Sequence, residues 1–285
     1  MLTRHALSFS VLLATAAVSH AAITADAVVS YNPGTGAKSA YWGAPLNVAG
    51  SALGIPASNH DVADTFDGPN QVTYADQSVL SPFNAAYAPN SVVSLGAGGH
   101  LTLRLSSPGA TTGGRTLGVH TGTGLNSVLF SNGQNLDPAG TYTDDRAAVV
   151  EVSADNVTWF SLGQVTFELP SNYYSAGLSG PYGSGPGSVV ADFSKPFTGQ
   201  LSDFSGKDWQ GTLDVLAGSG GGTWLDLSAA TGAGALPSAV QYVRFSLPTG
   251  SPETFVLDAV TAVPEPTSLG ILLAGALVGL RRRTR

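Results

Sequence analysis

Between Ala22 and Val263 the chain never sustains a helical period. Its apolar residues alternate with polar ones in short runs, and Gly, Pro, Asn, Asp and Ser separate those runs. Such a pattern commits the chain to strands and turns. His100-Leu101-Thr102-Leu103-Arg104-Leu105 is the clearest case, because successive side chains of a strand point to opposite faces, which puts Leu101, Leu103 and Leu105 together on one of them. The stretches 147–153, 241–247 and 254–260 read the same way, with Val150, Val152, Val243, Phe245, Phe255 and Leu257 facing inward. Shorter strands are expected over 91–95, 127–130, 158–162, 189–193 and 223–227, and Trp159 and Trp224 are expected in the core. Glycine and proline, 36 and 17 of 285 residues, supply the positive-φ and fixed-φ turns between them. Many short strands at this spacing imply an all-β fold, a single jelly-roll-like β-sandwich domain over 22–262.

Charge narrows the partners. Charged residues make up 11% of the chain, under half of the about 25% that is usual. No run of Lys or Arg lies within the body, so the electrostatic footprint that neutralises nucleic-acid phosphates is missing and nucleic acid is not an expected partner. Seven basic residues face eighteen acids between Ala22 and Val263, a formal charge of −11, which favours solubility outside the cell. The absence of cysteine excludes disulfides, thiol nucleophiles and cysteine-held metals.

Both ends read as addresses. Arg4 and His5 precede an apolar run from Ala6 to Val18, and Ser19-His20-Ala21 supplies small residues for a cut after Ala21 or Ala22, so residues 1–21 are expected to be a secretory signal peptide. Residues 263–285 hold Pro264-Glu265-Pro266, an apolar stretch from Ser268 to Leu280, and the basic end Arg281-Arg282-Arg283-Thr284-Arg285. Thirteen apolar-stretch residues at about 1.5 Å each give roughly 20 Å of helix, short of the roughly 30 Å hydrocarbon core, so flanking residues or local thinning must help this short transmembrane helix to span. The arginines stay cytoplasmic under the positive-inside rule, which places the body on the outer side of the inner membrane.

The tripeptide, apolar stretch and arginine cluster, in that order, resemble the PEP-CTERM sorting signal, the tag recognised by exosortase in Gram-negative bacteria that build an extracellular matrix. The resemblance implies export by the secretion machinery, transient inner-membrane anchoring, processing near Pro264, Glu265 and Pro266 with Arg281, Arg282 and Arg283 as the stop, and release to the cell surface or matrix. Within the body, segments 94–103, 146–159, 222–227 and 240–245 resemble the exported PEP-CTERM cell surface protein families, which implies a β-sandwich without an established biochemical activity. Ser131 stands where those families commonly carry Glu, so the resemblance brings no carboxylate site there.

Catalytic patterns are sparse. The body's histidines are His60, His100 and His120, and no Gly-x-Ser-x-Gly elbow accompanies them. Asp61, Asp64 and Asp67 lie close in sequence and suit a hard cation such as calcium bound through oxygen, although their spacing is not that of an EF-hand; the competing reading is a solvated, turn-forming acidic loop. Asp144-Asp145 admits the same two readings. No other metal and no cofactor is expected. The loop from Leu169 to Gly183 carries Tyr173, Tyr174 and Tyr182, whose rings can stack on sugar faces or else pin the loop to the sheet, and Tyr41-Trp42 invites the same comparison. The expectation is therefore a non-enzymatic, exosortase-sorted surface or matrix protein. A lectin-like module acting on exopolysaccharide is the alternative, and a glycoside or ester hydrolase, resting on fold analogy alone, is the third reading.

Overall fold

The strands expected from alternation pair into one large antiparallel sheet. A computed structural model describes residues 22–40, 43–59, 79–128, 133–142, 147–182 and 185–264. In chain order the strands are β1 (Ile23–Asn32), β2 (Val93–Leu95), β3 (His100–Ala110), β4 (Arg115–Thr121), β5 (Ala147–Ser153), β6 (Phe160–Thr166), β7 (Tyr174–Ala176), β8 (Val189–Val190), β9 (Thr223–Asp226), β10 (Thr231–Gly232), β11 (Ala239–Ser246) and β12 (Phe255–Ala262). A short helix, α1 (Trp209–Leu216), precedes β9. The sheet runs β10-β6-β5-β11-β3-β1-β12-β4-β9, with β2 beside β12, while β7 and β8 form a separate ribbon.

Strand β1 is the corner of this sheet. Its first two residues pair with β12, Ile23 opposite Ala262 and Thr24 opposite Thr261. From Ala25 onward it pairs with β3 instead, with register shifts at Ala25/Ala27 and Val28/Ser30. Such bulges bend a strand and raise its twist, which lets β1 serve two sets of neighbours. The two arms of the sheet then share one core. Leu101, Leu103, Leu105, Val150, Val152, Val243 and Phe245 from one arm meet Leu117, Val119, Phe255, Leu257 and Val260 from the other. At its centre the rings of Phe245 and Phe255 stack at 5.2 Å, and Phe167, just beyond β6, lies 5.2 Å from Phe255 and 6.3 Å from Phe245. Every inward residue expected on β3, β5, β11 and β12 is fully buried here.

Local chemistry sets the turns. Between β5 and β6, Asp155 Oδ1 accepts from the Val157 and Thr158 amides at 2.9 and 2.8 Å while Asn156 takes a φ of 62°, a turn in which an Asx side chain replaces ladder hydrogen bonds.

The structure departs from the alternation pattern in five places. All eight residues of β12 are buried, because its second face is covered by loops: Val256 packs with Ala40, Leu46, Leu80, Ala86 and Val92 in a separate cluster. Trp159 is not a core residue; it is half-buried, with the Arg244 guanidinium 4.1 Å above its ring centre. Residues 189–193 form only the two-residue β8, and at 127–130 only a single bridge from Ser127 to Asn135 appears, with Leu129 and Phe130 outside the described residues. Helix α1 was not expected from periodicity, since eight residues hold barely two turns. Its cue was Asp208, whose Oδ1 caps the helix by accepting from the Gly211 amide at 2.7 Å.

Among the described residues no helix is long and apolar enough to cross a membrane. The expected signal peptide through Ala21 and the apolar stretch from Ser268 lie outside those residues.

Candidate functional site

Loops, together with helix α1 and strand β9, build a second core. Phe83, Leu125, Leu169, Phe197, Phe204, Leu216 and Trp224 are buried together, with Tyr182 and Trp209 packed at their edge. Loops lack a continuous ladder, so side chains and isolated backbone bridges share the task of satisfying their amides and carbonyls. Ser81 carries much of that load: its Oγ accepts from the Phe83 and Asn84 amides at 3.2 Å each and donates to the Pro181 carbonyl, tying the 81–87 loop to the loop that bears Tyr182. Asn84 Nδ2 donates to the Val79 carbonyl at 2.8 Å, and the Leu125 amide donates to the Pro82 carbonyl at 2.8 Å. Segments 124–128 and 134–142 then lie side by side, with Tyr142 N donating to Gly124 O at 3.1 Å, Asn126 N to Gly140 O at 2.9 Å and Val128 N to Gln134 O at 2.7 Å. Asn135 anchors this pair to α1, its Nδ2 donating to Thr212 Oγ1 at 2.8 Å.

These loops enclose a pocket of about 320 Å³. Phe83, Leu125, Tyr87, Tyr142 and Tyr182 give it apolar and aromatic walls, and Asn84, Asn126 and Ser127 give it polar groups. Tyr142 is half exposed, and its hydroxyl accepts from the Ala85 amide at 2.8 Å. Burial pushes that hydroxyl's pKa up. Gly124 is required beneath it, since a Cβ there would come within 2.2 Å of the Tyr142 oxygen. Burial likewise raises the Tyr182 pKa, opposed by a hydrogen bond with the Ser127 side chain. The ring of Phe83 leans on Trp209 at 6.2 Å, so the floor of the pocket is seated on the second core.

The three tyrosines expected to act together are divided. Tyr182 lines the pocket. Tyr173 and Tyr174 instead pack edge-on at 4.8 Å, and Tyr173 also meets Phe193 at 5.7 Å, which fits the loop-pinning alternative. Tyr87, Tyr142 and Phe83 were not singled out from the sequence, because they are far from Tyr182 along the chain.

Two buried ionisable groups lie elsewhere. His120 on β4 is fully buried, with Nδ1 3.2 Å from Ser171 Oγ, Nε2 3.2 Å from Thr261 Oγ1 and its ring edge-on to Phe193 at 5.6 Å. A serine faces this histidine, but a hydroxyl occupies the place where a carboxylate would orient a catalytic imidazole. Burial drives the His120 pKa down to about 3, so the ring is neutral at ordinary pH. Asp258 falls at a register shift of β12 and accepts from the Ala57 amide at 2.9 Å; burial raises its pKa well above the carboxylate range. On the other arm, Arg244 Nε donates to Glu151 Oε2 at 2.8 Å while its guanidinium covers Trp159.

The remaining expected sites sit at the margins. Ala22 immediately precedes β1, and Pro264 bridges Gly109 while Val263 N donates to Thr116 O at 2.9 Å, so the paired backbone runs two residues past β12. Ala21, Tyr41, Trp42, His60, Asp61, Asp64, Asp67, Ser131, Asp144, Asp145, Glu265, Pro266, Arg281, Arg282 and Arg283 lie outside the described residues. No protein-family model and no curated protein matches the chain.

Proposed function

We propose that the chain is an exported, non-enzymatic protein of the cell surface or extracellular matrix of a Gram-negative bacterium, sorted and processed by exosortase. The observation that carries this reading is the ordered C-terminal succession of Pro264-Glu265-Pro266, an apolar stretch and an arginine cluster, in a chain that opens with a signal-peptide pattern. In this reading residues 1–21 are removed on export, residues 263–285 anchor the intermediate transiently in the inner membrane, and the body is a jelly-roll-like β-sandwich. The single core shared by both arms of the sheet supports that architecture. The pairing of Ile23 with Ala262 supports the topology of a tethered intermediate, because the start and end of the body leave the sheet side by side.

Intact mass and membrane partition of protein from cells with and without exosortase test the reading. Loss of the C-terminal peptide only where the enzyme is present is expected. An uncleaved, membrane-retained chain in both strains would overturn the sorting assignment and leave a tethered domain. Replacing Pro264, Glu265 and Pro266 by alanine is expected to block processing without blocking export.

A second reading, a lectin-like role on exopolysaccharide, is favoured by one observation: the aromatic pocket with amide and hydroxyl groups among its lining.

A further inference from the structure

We infer that this pocket is a saccharide subsite that takes one uncharged pyranose unit, an inference that rests on the lectin-like reading above. A pyranose ring presents a flat face of C–H groups and a rim of hydroxyls. The pocket presents the complement: Tyr87, Tyr142 and Tyr182 offer ring surfaces with a polar tip, and Asn84, Asn126 and Ser127 add carboxamide and hydroxyl groups to its lining. A volume of about 320 Å³ lies at the small end of the roughly 300–1,000 Å³ range of ligand pockets, which suits a single sugar unit.

Charge and rigidity point the same way. None of the described residues lining the pocket is an acid or a base, so nothing among them would pair with a uronate or an amino sugar. The walls are already fixed. Tyr142 is held by the Ala85 amide, Tyr182 by Ser127, and Phe83 and Leu125 by the second core. Binding a sugar against these four residues therefore spends little of its contact on immobilising them. Tyr142 is half exposed, and its open side is where an adjoining unit of a polymer would continue.

The test is affinity electrophoresis of the mature chain in gels holding dextran, galactomannan or mixed-linkage β-glucan as neutral polymers and alginate as an anionic one. Retardation by at least one neutral polymer is expected. It should weaken about tenfold in Tyr182→Ala and several-fold in Asn126→Ala, and stay unchanged in Tyr173→Ala. Thermal unfolding of each variant separates lost binding from lost folding, and Asn126→Ala, which leaves the aromatic walls intact, decides the matter if Tyr182→Ala unfolds. Neutral-polymer binding that survives Asn126→Ala and a folded Tyr182→Ala would overturn the subsite while leaving the lectin-like reading standing. Retardation by alginate alone would overturn the uncharged ligand. Titration of methyl glycosides followed by NMR completes the panel, and no response to any polymer or glycoside would overturn both the subsite and the reading.

Discussion

The core between the arms of the sheet and the core beneath the outer loops both exclude water, yet they are built by opposite means. Around Phe245 and Phe255 the backbone is paired in ladders, so most side chains there contribute apolar surface alone. Around Phe83, Leu125 and Phe204 the backbone pairs only through isolated bridges and scattered loop bonds, and Ser81, Asn84, Asn135 and Tyr142 are spent on loop amides, carbonyls and hydroxyls. The lesson is that stitching loops together with polar side chains brings some of them, Asn84 and Tyr142, into the lining of a cavity. A ladder-built core has no comparable reason to make a site.

The largest test of this contrast is Phe245→Ala. It removes a ring wedged against Phe167 and Phe255 and should cost about 3–5 kcal/mol, read as a lower urea midpoint for the whole molecule. Loss confined to one arm would break the picture of a single core.

Acid titration comes next, because the two buried ionisable groups have opposite signs. His120 titrates near 6.5 when unfolded and near 3 when folded. The unfolded chain therefore binds the extra proton between those values, and the His120 contribution is full above about pH 6.5 and falls below it by up to about 1.4 kcal/mol per pH unit. Asp258 is raised above 3.8 in the fold, so the folded chain holds the extra proton and stability drains as pH rises from about 3.8 toward the folded pKa. The slopes should partly cancel from about pH 3.8 up to the folded Asp258 pKa or 6.5, whichever is lower, in the unmodified protein. Asp258→Asn, which keeps an acceptor for the Ala57 amide, should unmask a stability that climbs with pH, and His120→Gln one that declines. Urea midpoints at half-unit pH steps measure both, and two flat profiles would refute the burial of these groups.

Gly118→Ala probes the seam between the regions. A Cβ there would lie 2.6 Å from Thr261 Oγ1 and 2.8 Å from Trp224 Cε2, so crowding should cost about 1–3 kcal/mol in thermal unfolding. The smallest expected effect is Tyr142→Phe, which strips the acceptor from the Ala85 amide for about 1 kcal/mol. Hydrogen exchange should quicken at Ala85 and its loop neighbours while β3, β5 and β11 are unmoved. Equal acceleration in the strands would erase the distinction between the two cores.

Much of the ladder-built half was legible in the chain. Leu101, Leu103 and Leu105 alternate with polar residues, and β5 begins and ends where its pattern does. Alternation misjudged β12, whose second face is covered by loops from elsewhere, and Trp159, which a distant arginine shields at the surface. Of the pocket only Tyr182 was foreseen. Tyr173 and Tyr174, adjacent to each other and close to it in sequence, turn to each other and to Phe193.

What the sequence determined by itself is what a local period can encode: strands rather than helices, and the inward faces of β3, β5 and β11. Only the tertiary structure decided that β1 turns the corner between two arms and that Tyr87, Tyr142 and Tyr182 surround one cavity. The reason is physical. A side chain's face on a strand follows from its own backbone geometry, repeating every two residues, whereas a loop's neighbours are chosen by which distant segments can satisfy its unpaired amides and carbonyls, and that choice exists only once the chain has folded.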